Sequence, residues 1–287
     1  MGKFQGYYIK ATDQNNSVAA IFGRNKNKKG KSAFIQIIHT DGAYNVNFDY
    51  KDFKMTKRPF SVTIGNNKID NQGMVLDIND VGLVINANWS FTEFIPIKYD
   101  AMGFFRFFPL MECKHSVTSM DHNVTGHIQI NDLEINFENA KGYIEGDRGR
   151  SFPRKYFWAQ CNLFNGAGDL SIMVSCARIP YLGIRFTGTI CIIHHGGKEY
   201  RLATYRRARV KAFLENKLVV KQGKKMLFVE VLDTEKNKHK LFAPNNGKMD
   251  RFIKETVITT VRYKFVIKGE TIFDVTSEYS AYEYSKT

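Results

Sequence analysis

Apolar and polar residues alternate with period two along almost the whole chain, and the alternating runs are separated by turn residues. Residues 34–38 and 44–50 flank Asp41-Gly42, and residues 75–78 and 81–87 flank Asn79-Asp80. Residues 127–130 and 133–137 flank Asn131-Asp132, and residues 189–193 and 200–204 flank Gly196-Gly197. Such spacing predicts strands joined by hairpin-length connections. Later runs at 226–232 and 240–243 lead to a closing pair, 255–267 and 270–280, about Lys268-Gly269. A sustained 3.6-residue period is hard to find, and a short helical turn at 248–254 is the one exception expected. The chain is therefore read as all-β. Strands this numerous are expected to close into barrels or barrel-like sandwiches, because an open sheet beyond about ten strands exposes its edges or curls.

A duplication would account for so many strands. Gly6-Tyr7-Tyr8-Ile9-Lys10-Ala11, followed by 18–21, looks like Tyr156-Phe157-Trp158-Ala159-Gln160, followed by 170–173: an aromatic strand, a polar turn and an apolar strand. The expectation is two consecutive domains, 1–141 and 142–287. Charge divides at the same place, with 16 basic and 14 acidic residues before the boundary and 26 and 14 after it.

Composition narrows the class further. With 43% hydrophobic, 14% aromatic and 24% charged residues, the chain is not a disordered one, and no apolar run approaches the roughly 18 residues of a spanning helix. Residues 1–6 show neither a secretory signal nor a myristoylation motif, so a cytoplasmic protein is expected. Cys113, Cys161, Cys176 and Cys191 form no CxxC pair and have no histidine at zinc-ligand spacing, which reads as reduced core cysteines and no metal. Neither a phosphate-binding glycine loop nor a serine-nucleophile elbow occurs. The net charge of +14 raises nucleic-acid binding, but Lys and Arg are not interleaved with stacking aromatics, and no nucleic acid is expected. The stretch 201–240 has 12 basic residues against four acidic ones. It is either a solvated face or a peripheral contact with an anionic membrane.

Three stretches resemble a known family. Phe4-Gln5-Gly6-Tyr7-Tyr8-Ile9-Lys10 is similar to an FEGWYFK opening, and Phe108-Pro109-Leu110-Met111-Glu112-Cys113-Lys114-His115 to a PFMECYH segment. The most specific runs from Gly142 through Tyr143, Glu145, Phe152-Pro153 and Trp158 to Gln160 and Asn162, and resembles Y-x-E-K-x-W-G-x-x-F-P-x-x-x-x-W-x-Q-x-N. These are segments of the tocopherol cyclase-like family of the calycin group. Gly146 and Arg148 stand where that pattern has Lys and Trp. The resemblance implies two lipocalin-like β domains and a site for an extended apolar ligand, isoprenoid or prenyl-quinol-like. It also implies a cofactor-free cyclisation, or, as the alternative, a carrier without chemistry.

Such a ring closure needs one acid, a dry tunnel and aromatic faces for positive charge. On an extended strand Tyr143, Glu145 and Asp147 share a face, and carboxylates that close can keep one proton at neutral pH. The alternative is that Glu145 and Asp147 pair with Arg148, Arg150 or Arg154 to fix a turn. His115 shares parity with Cys113 and Val117, and His122 with Met120 and Val124, so both histidines are expected to face inward. Glu145, Asp147 and His115 are the catalytic candidates. Trp158, Gln160 and Asn162 form one row of their strand, either lining a barrel interior or bracing the two domains, with Tyr8 in the Trp158 role of the first domain. Tyr8, His122, Tyr143, Trp158, Gln160 and Asn162 are the ligand-binding candidates, and the resembling segments add Glu112 and Phe152. His194 and His195 are expected in solvent, and residues 104–109 either plug a barrel end or line a ligand entrance.

Overall fold

The computed structural model describes residues 2–109, 111–166 and 168–286. Nearly all of them lie in two large antiparallel sheets. The first sheet uses β1 (Lys3–Thr12), β2 (Ser17–Lys26), β3 (Lys31–His39), β4 (Gly42–Phe48), β5 (Phe53–Lys57) and β6 (Phe60–Ile64). It continues with β7 (Asn67–Asp70), β8 (Gly73–Asp80), β9 (Leu83–Phe91), β10 (Cys113–Ile130) and β11 (Leu133–Gly149). The second uses β12 (Lys155–Cys161), β13 (Ser171–Tyr181), β14 (Ile184–His195), β15 (Lys198–Ala203) and β16 (Arg209–Phe213). It ends with β17 (Lys217–Gln222), β18 (Lys225–Val231), β19 (His239–Asn245), β20 (Lys248–Ile267) and β21 (Glu270–Lys286).

The two strand orders correspond. The first reads β4-β3-β2-β1-β11-β10-β9-β8-β7-β6-β5, the second β15-β14-β13-β12-β21-β20-β18-β17-β16, with β19 paired to the outer part of β20. In each, the aromatic strand seen twice in the sequence sits between the second strand and the last. Register corresponds too: Tyr8 stands opposite Glu145, and Trp158 opposite Glu283.

Alternation sets where the cores lie. On β1, Tyr7, Ile9 and Ala11 enter the core of the first sheet, and on β12, Phe157, Ala159 and Cys161 enter that of the second. The intervening residues, Tyr8 and Trp158, point the other way into a third core shared by both sheets, with Tyr143, Val117 and Leu241. Val46 of β4 and Phe53 of β5, at opposite ends of the first sheet, belong to one core, so that sheet curls over itself as a twisted sheet of this width must. The architecture fits a lipocalin-like fold, but the closed barrels expected from the strand count do not form. Among the described residues no ladder joins β4 to β5 or β15 to β16, because each sheet finds cover for its outer face in the other sheet instead.

Three local expectations also change. Residues 248–254 are strand, held by a ladder to β19, not a helical turn. The turn after β8 falls at Val81-Gly82, where glycine supplies a φ of 74°, not at Asn79-Asp80. His194 is held by Glu199 at 3.3 Å and its side chain is only 16% exposed, while the His195 ring packs against Phe273. Neither histidine faces open solvent as expected. By contrast Gly196 and Gly197, both at positive φ, make the tight hairpin turn that their sequence announces. β11 runs through residue 141 with 142–149 still paired to β1, and the chain passes to the second sheet over residues 150–154.

Two excursions fasten the sheets together and close the space between them. The connection from β9 to β10 crosses to the second sheet, where the buried Arg201 donates to the carbonyls of Tyr99 and Asp100 and Tyr205 donates to that of Ala101. The β19–β20 hairpin reaches back to the first sheet, where Gln36 both accepts from the Phe242 N–H, at 2.9 Å, and donates to its carbonyl, at 3.1 Å.

Candidate active site

The site lies in the shared core, in a cavity of about 180 Å³ lined from the first sheet by β1–β3, β10 and β11 and from the second by β12–β14 and β19–β21. Phe4, Ile21, Phe34, Phe152, Leu241 and Ile253 supply apolar wall. No Lys or Arg lines it among the described residues.

One wall carries a connected trio. β10 and β11 place His115 opposite Asp147 and Val117 opposite Glu145, so alternation brings His115, Asp147 and Glu145 to the same face. His115 Nδ1 is 3.1 Å from Asp147 Oδ1, and Nε2 is 3.4 Å from Glu145 Oε2, an ion-pair distance without hydrogen-bond alignment. Tyr143 donates its hydroxyl to Glu145 Oε2 at 2.6 Å, and Trp158 donates its indole N–H to the same oxygen at 3.1 Å. Cys113 donates to Asp147 Oδ1. Burial pushes the Glu145 carboxyl up to about 7, against the pull of His115 and with the push of Asp147. Burial alone would press His115 down, but Glu145 and Asp147 outweigh it and carry the imidazolium to about 9. Glu145 and His115 therefore hold exchangeable protons near neutral pH.

The facing wall was not anticipated from the sequence. Glu255 of β20 and Glu283 of β21 are opposite each other in register, both buried and both lining the cavity. Tyr156 donates to Glu283, whereas Glu255 Oε1 and the Tyr8 hydroxyl have no hydrogen-bond partner. Burial raises Glu255 to about 8, against the Tyr8 hydroxyl beside it and with the Glu145 charge adding to it, and drives Glu283 well above the ordinary carboxyl range. These are acids kept neutral. Two signals in the sequence pointed to them: a glutamate on the inward row of an otherwise apolar strand, and the repeat, which maps Glu145 onto Glu283.

The remaining candidates divide cleanly. Tyr8 and Trp158 meet edge to face at 5.4 Å across the cavity, and Phe152 lines it beside Phe4 and Tyr156. Glu112 also lines it, its carboxyl raised by burial and one oxygen unpartnered. Gln160 and Asn162 lie outside the cavity walls. Lys10 donates to Gln160, Gln160 to Asn162, and Asn162 to the Gly142 carbonyl and Asp121, which is the bracing arrangement. His122 too lies elsewhere: register shifts after Val117 and Ser119 turn it between Phe91 and Phe94, with Nδ1 on Ser119. Gly146, where the family pattern has Lys, packs against Tyr7, whose ring would lie 2.9 Å from an added Cβ. Arg148 is exposed. In the 104–109 segment, Phe105 lines the cavity mouth while Phe104 and Phe107 stand in solvent.

His115, Glu145 and Asp147 could each offer one metal ligand, the three atoms lying within 4.8 Å of one another. In this arrangement the imidazole engages both carboxylates itself, and Tyr143 and Trp158 satisfy Glu145.

Residues 80–285 match the tocopherol cyclase-like family. The chain belongs to that family. Over 106 residues, 36% of the chain, this family member is 30% identical to a probable chloroplastic tocopherol cyclase of Oryza sativa subsp. japonica and 38% identical to the chloroplastic tocopherol cyclase of Zea mays. Those stretches are 23% and 22% of the plant proteins, so the chain matches less than a quarter of their length. Among solved structures, CghA with Sch210972 superposes with a TM-score of 0.61 at 10% identity, over 99% of this chain and 88% of that one. A putative AttH from Nitrosomonas europaea gives 0.56 at 10% over 99% and 92%, and kievitone hydratase from Nectria haematococca 0.54 at 11% over 99% and 89%. At such identities the likeness is one of fold. Neither the substrates nor the reactions of those proteins pass to this chain with it.

Proposed function

We propose that this cyclase-like protein is a cofactor-free acid catalyst for an extended, neutral, apolar ligand of isoprenoid or prenyl-quinol-like type, with Glu145 as the proton donor. The observation that carries the reading is a carboxyl buried in an apolar cavity with both hydrogen-bond donors on one oxygen and His115 behind it. With Oε2 occupied by Tyr143 and Trp158, the acidic proton belongs on Oε1. That proton passes to one carbon of a trisubstituted alkene, whose π pair becomes the new C–H bond. The tertiary cation left on the other carbon is stabilised by the Tyr8 and Trp158 rings. A hydroxyl oxygen of the same ligand then captures the cation, and its proton returns to Glu145, whose charge in the interval is stabilised by the His115 imidazolium held at Nδ1 by Asp147. The sum is an isomerisation. The neutral acids of the facing wall exclude a carboxylate ligand, for which the cavity offers no Lys or Arg, and suit an uncharged oxygen near Tyr8 and Glu255.

The test is incubation of the protein with prenylated quinols in light and in heavy water, followed by mass spectrometry. A product of unchanged composition that carries solvent deuterium at carbon supports the reading. Recovery of tightly bound but unaltered ligand supports the carrier instead.

A further inference from the structure

The cavity mouth is built from two segments that hold apolar side chains in water. In the turn Gly103–Phe107, Phe104 is 51% and Phe107 75% exposed. At the tip of the β13–β14 hairpin, Leu182 is 74% and Ile184 64% exposed. The segments touch, with Phe105 stacked on Phe186 at 6.1 Å and Phe108 5.7 Å from Tyr181. Phe105 and Phe186 also line the cavity. Leu182 has a φ of 47°, a conformation that favours glycine or asparagine. A leucine there is unfavourable locally in backbone and in solvation alike, which points to a partner that the isolated chain lacks.

Charge says which partner. Arg178 and Arg185 stand on the shoulders of the hairpin, Arg106 lies in the turn, and Arg206 and Arg207 follow Tyr205, another lining residue, all five exposed. Asp100 offsets Arg106 in part, at 3.7 Å. An apolar tip ringed by arginines is the pattern of a surface that enters the boundary between acyl chains and anionic headgroups. Of the basic stretch 201–240, it is Arg206 and Arg207 that adjoin this mouth.

We propose that the mouth docks on an anionic lipid bilayer, with Phe104, Phe107, Leu182 and Ile184 immersed and the arginines on lipid phosphates, so that a ligand passes between Phe105 and Phe186 from bilayer to cavity. The cargo rests on the apolar-ligand reading above, whereas the docking does not. No segment spans the membrane in this arrangement. The contact is reversible, and the arginines make it sensitive to salt.

Co-sedimentation of the full chain with phosphatidylcholine vesicles, with and without phosphatidylglycerol, tests it. The wild type should bind only the vesicles with phosphatidylglycerol and be released above roughly 0.5 M salt. The double variant Phe107→Glu, Leu182→Glu should lose about tenfold or more in partitioning with its thermal melting unchanged, since both side chains are exposed. Lys221→Glu, Lys224→Glu, in the same basic stretch but near the β17–β18 turn, should bind like the wild type. Equal binding to both vesicle types, binding to neither, or a tip variant that binds like the wild type overturns the proposal. Docking is read without turnover. A protein that docks but fails to convert ligand removes the catalytic reading alone, and one that converts detergent-dispersed ligand but never docks removes this one alone.

Discussion

On the first sheet Glu145 faces Tyr8 across β11 and β1, and on the second Glu283 faces Trp158 across β21 and β12. The frames correspond, yet the surroundings of the two carboxyls differ. Glu145 has an imidazole at 3.4 Å, which Asp147 holds from behind, and two donors on one oxygen. Glu283 has the Tyr156 hydroxyl and, opposite in register, a second glutamate. Burial raises both carboxyls, but only beside Glu145 is there a cation to stabilise the charge left when a proton departs. On the proposed reading, a carboxyl in an apolar cavity becomes a working acid through its neighbours, not through burial alone.

The largest effect should come from converting each acid to its neutral amide. Glu145→Gln should lower turnover by about 100-fold or more while the protein stays folded, whereas Glu283→Gln, which mimics an acid already neutral, should leave single-turnover rates nearly unchanged. Comparable losses in both variants would erase the distinction between the walls. Next in size is His115→Asn. Without the imidazolium, Asp147 repels the Glu145 anion unopposed, so the alkaline limb of the pH–rate profile should move above the neighbourhood of pH 7 and the rate should fall by about tenfold or more. A profile that does not move would show that His115 and Glu145 are not coupled.

Stability gives a smaller, slower handle. Glu145 and Glu255 are raised above their ordinary value of 4.5, to about 7 and about 8, and His115 above 6.5, to about 9. Each favours the folded state fully below its unfolded pKa, and the contribution is lost as pH rises through the folded one. The melting temperature should therefore fall between about pH 4.5 and 9, and Glu255→Gln should flatten the part of that fall below about pH 8. His122, pressed to about 3 by burial and by Lys141, acts in the opposite sense: its contribution is present above 6.5 and lost as pH falls toward 3. Calorimetry across this range checks both limbs, and a protein more stable at pH 9 than at 6.5 would contradict the assignment. The smallest effect expected is from a chelator, which should leave turnover unchanged because His115 bonds Asp147 through Nδ1 and is held protonated by the two carboxylates, which leaves no lone pair for a metal.

Period-two alternation made the β architecture legible, because the pleat forces every strand to declare its two faces. The same parity grouped Tyr143, Glu145, Asp147 and His115 correctly, since Cys113–Val117 pairs with 145–149, and 142–149 with β1, without a register break. His122 also faces inward as parity expects, but beyond two shifts in β10 it enters the core of the first sheet and not the cavity. Parity also cannot say what a face looks at. Trp158, Gln160 and Asn162 share a row, but only Trp158 reaches the cavity, because Lys10 from the first sheet and Asp121 occupy the polar ends of the others. Glu255 and Glu283 escaped notice because acids are ordinarily on the solvent row; the apolar row around Glu255 and the repeat that maps Glu145 onto Glu283 are what mark them as inward. Whether sheets of this size close on themselves or cover one another is decided by contacts between distant segments, which no local pattern encodes.

The most direct measurement is a carbon-13 NMR titration of carboxyl-labelled protein, with the Glu145 resonance assigned by its absence in Glu145→Gln. The expected result is a carboxyl titrating at about 7, coupled to His115 and displaced when His115 is replaced. A Glu145 resonance titrating near the ordinary 4.5, and indifferent to His115, would contradict the proposal that this wall of the cavity is the proton donor.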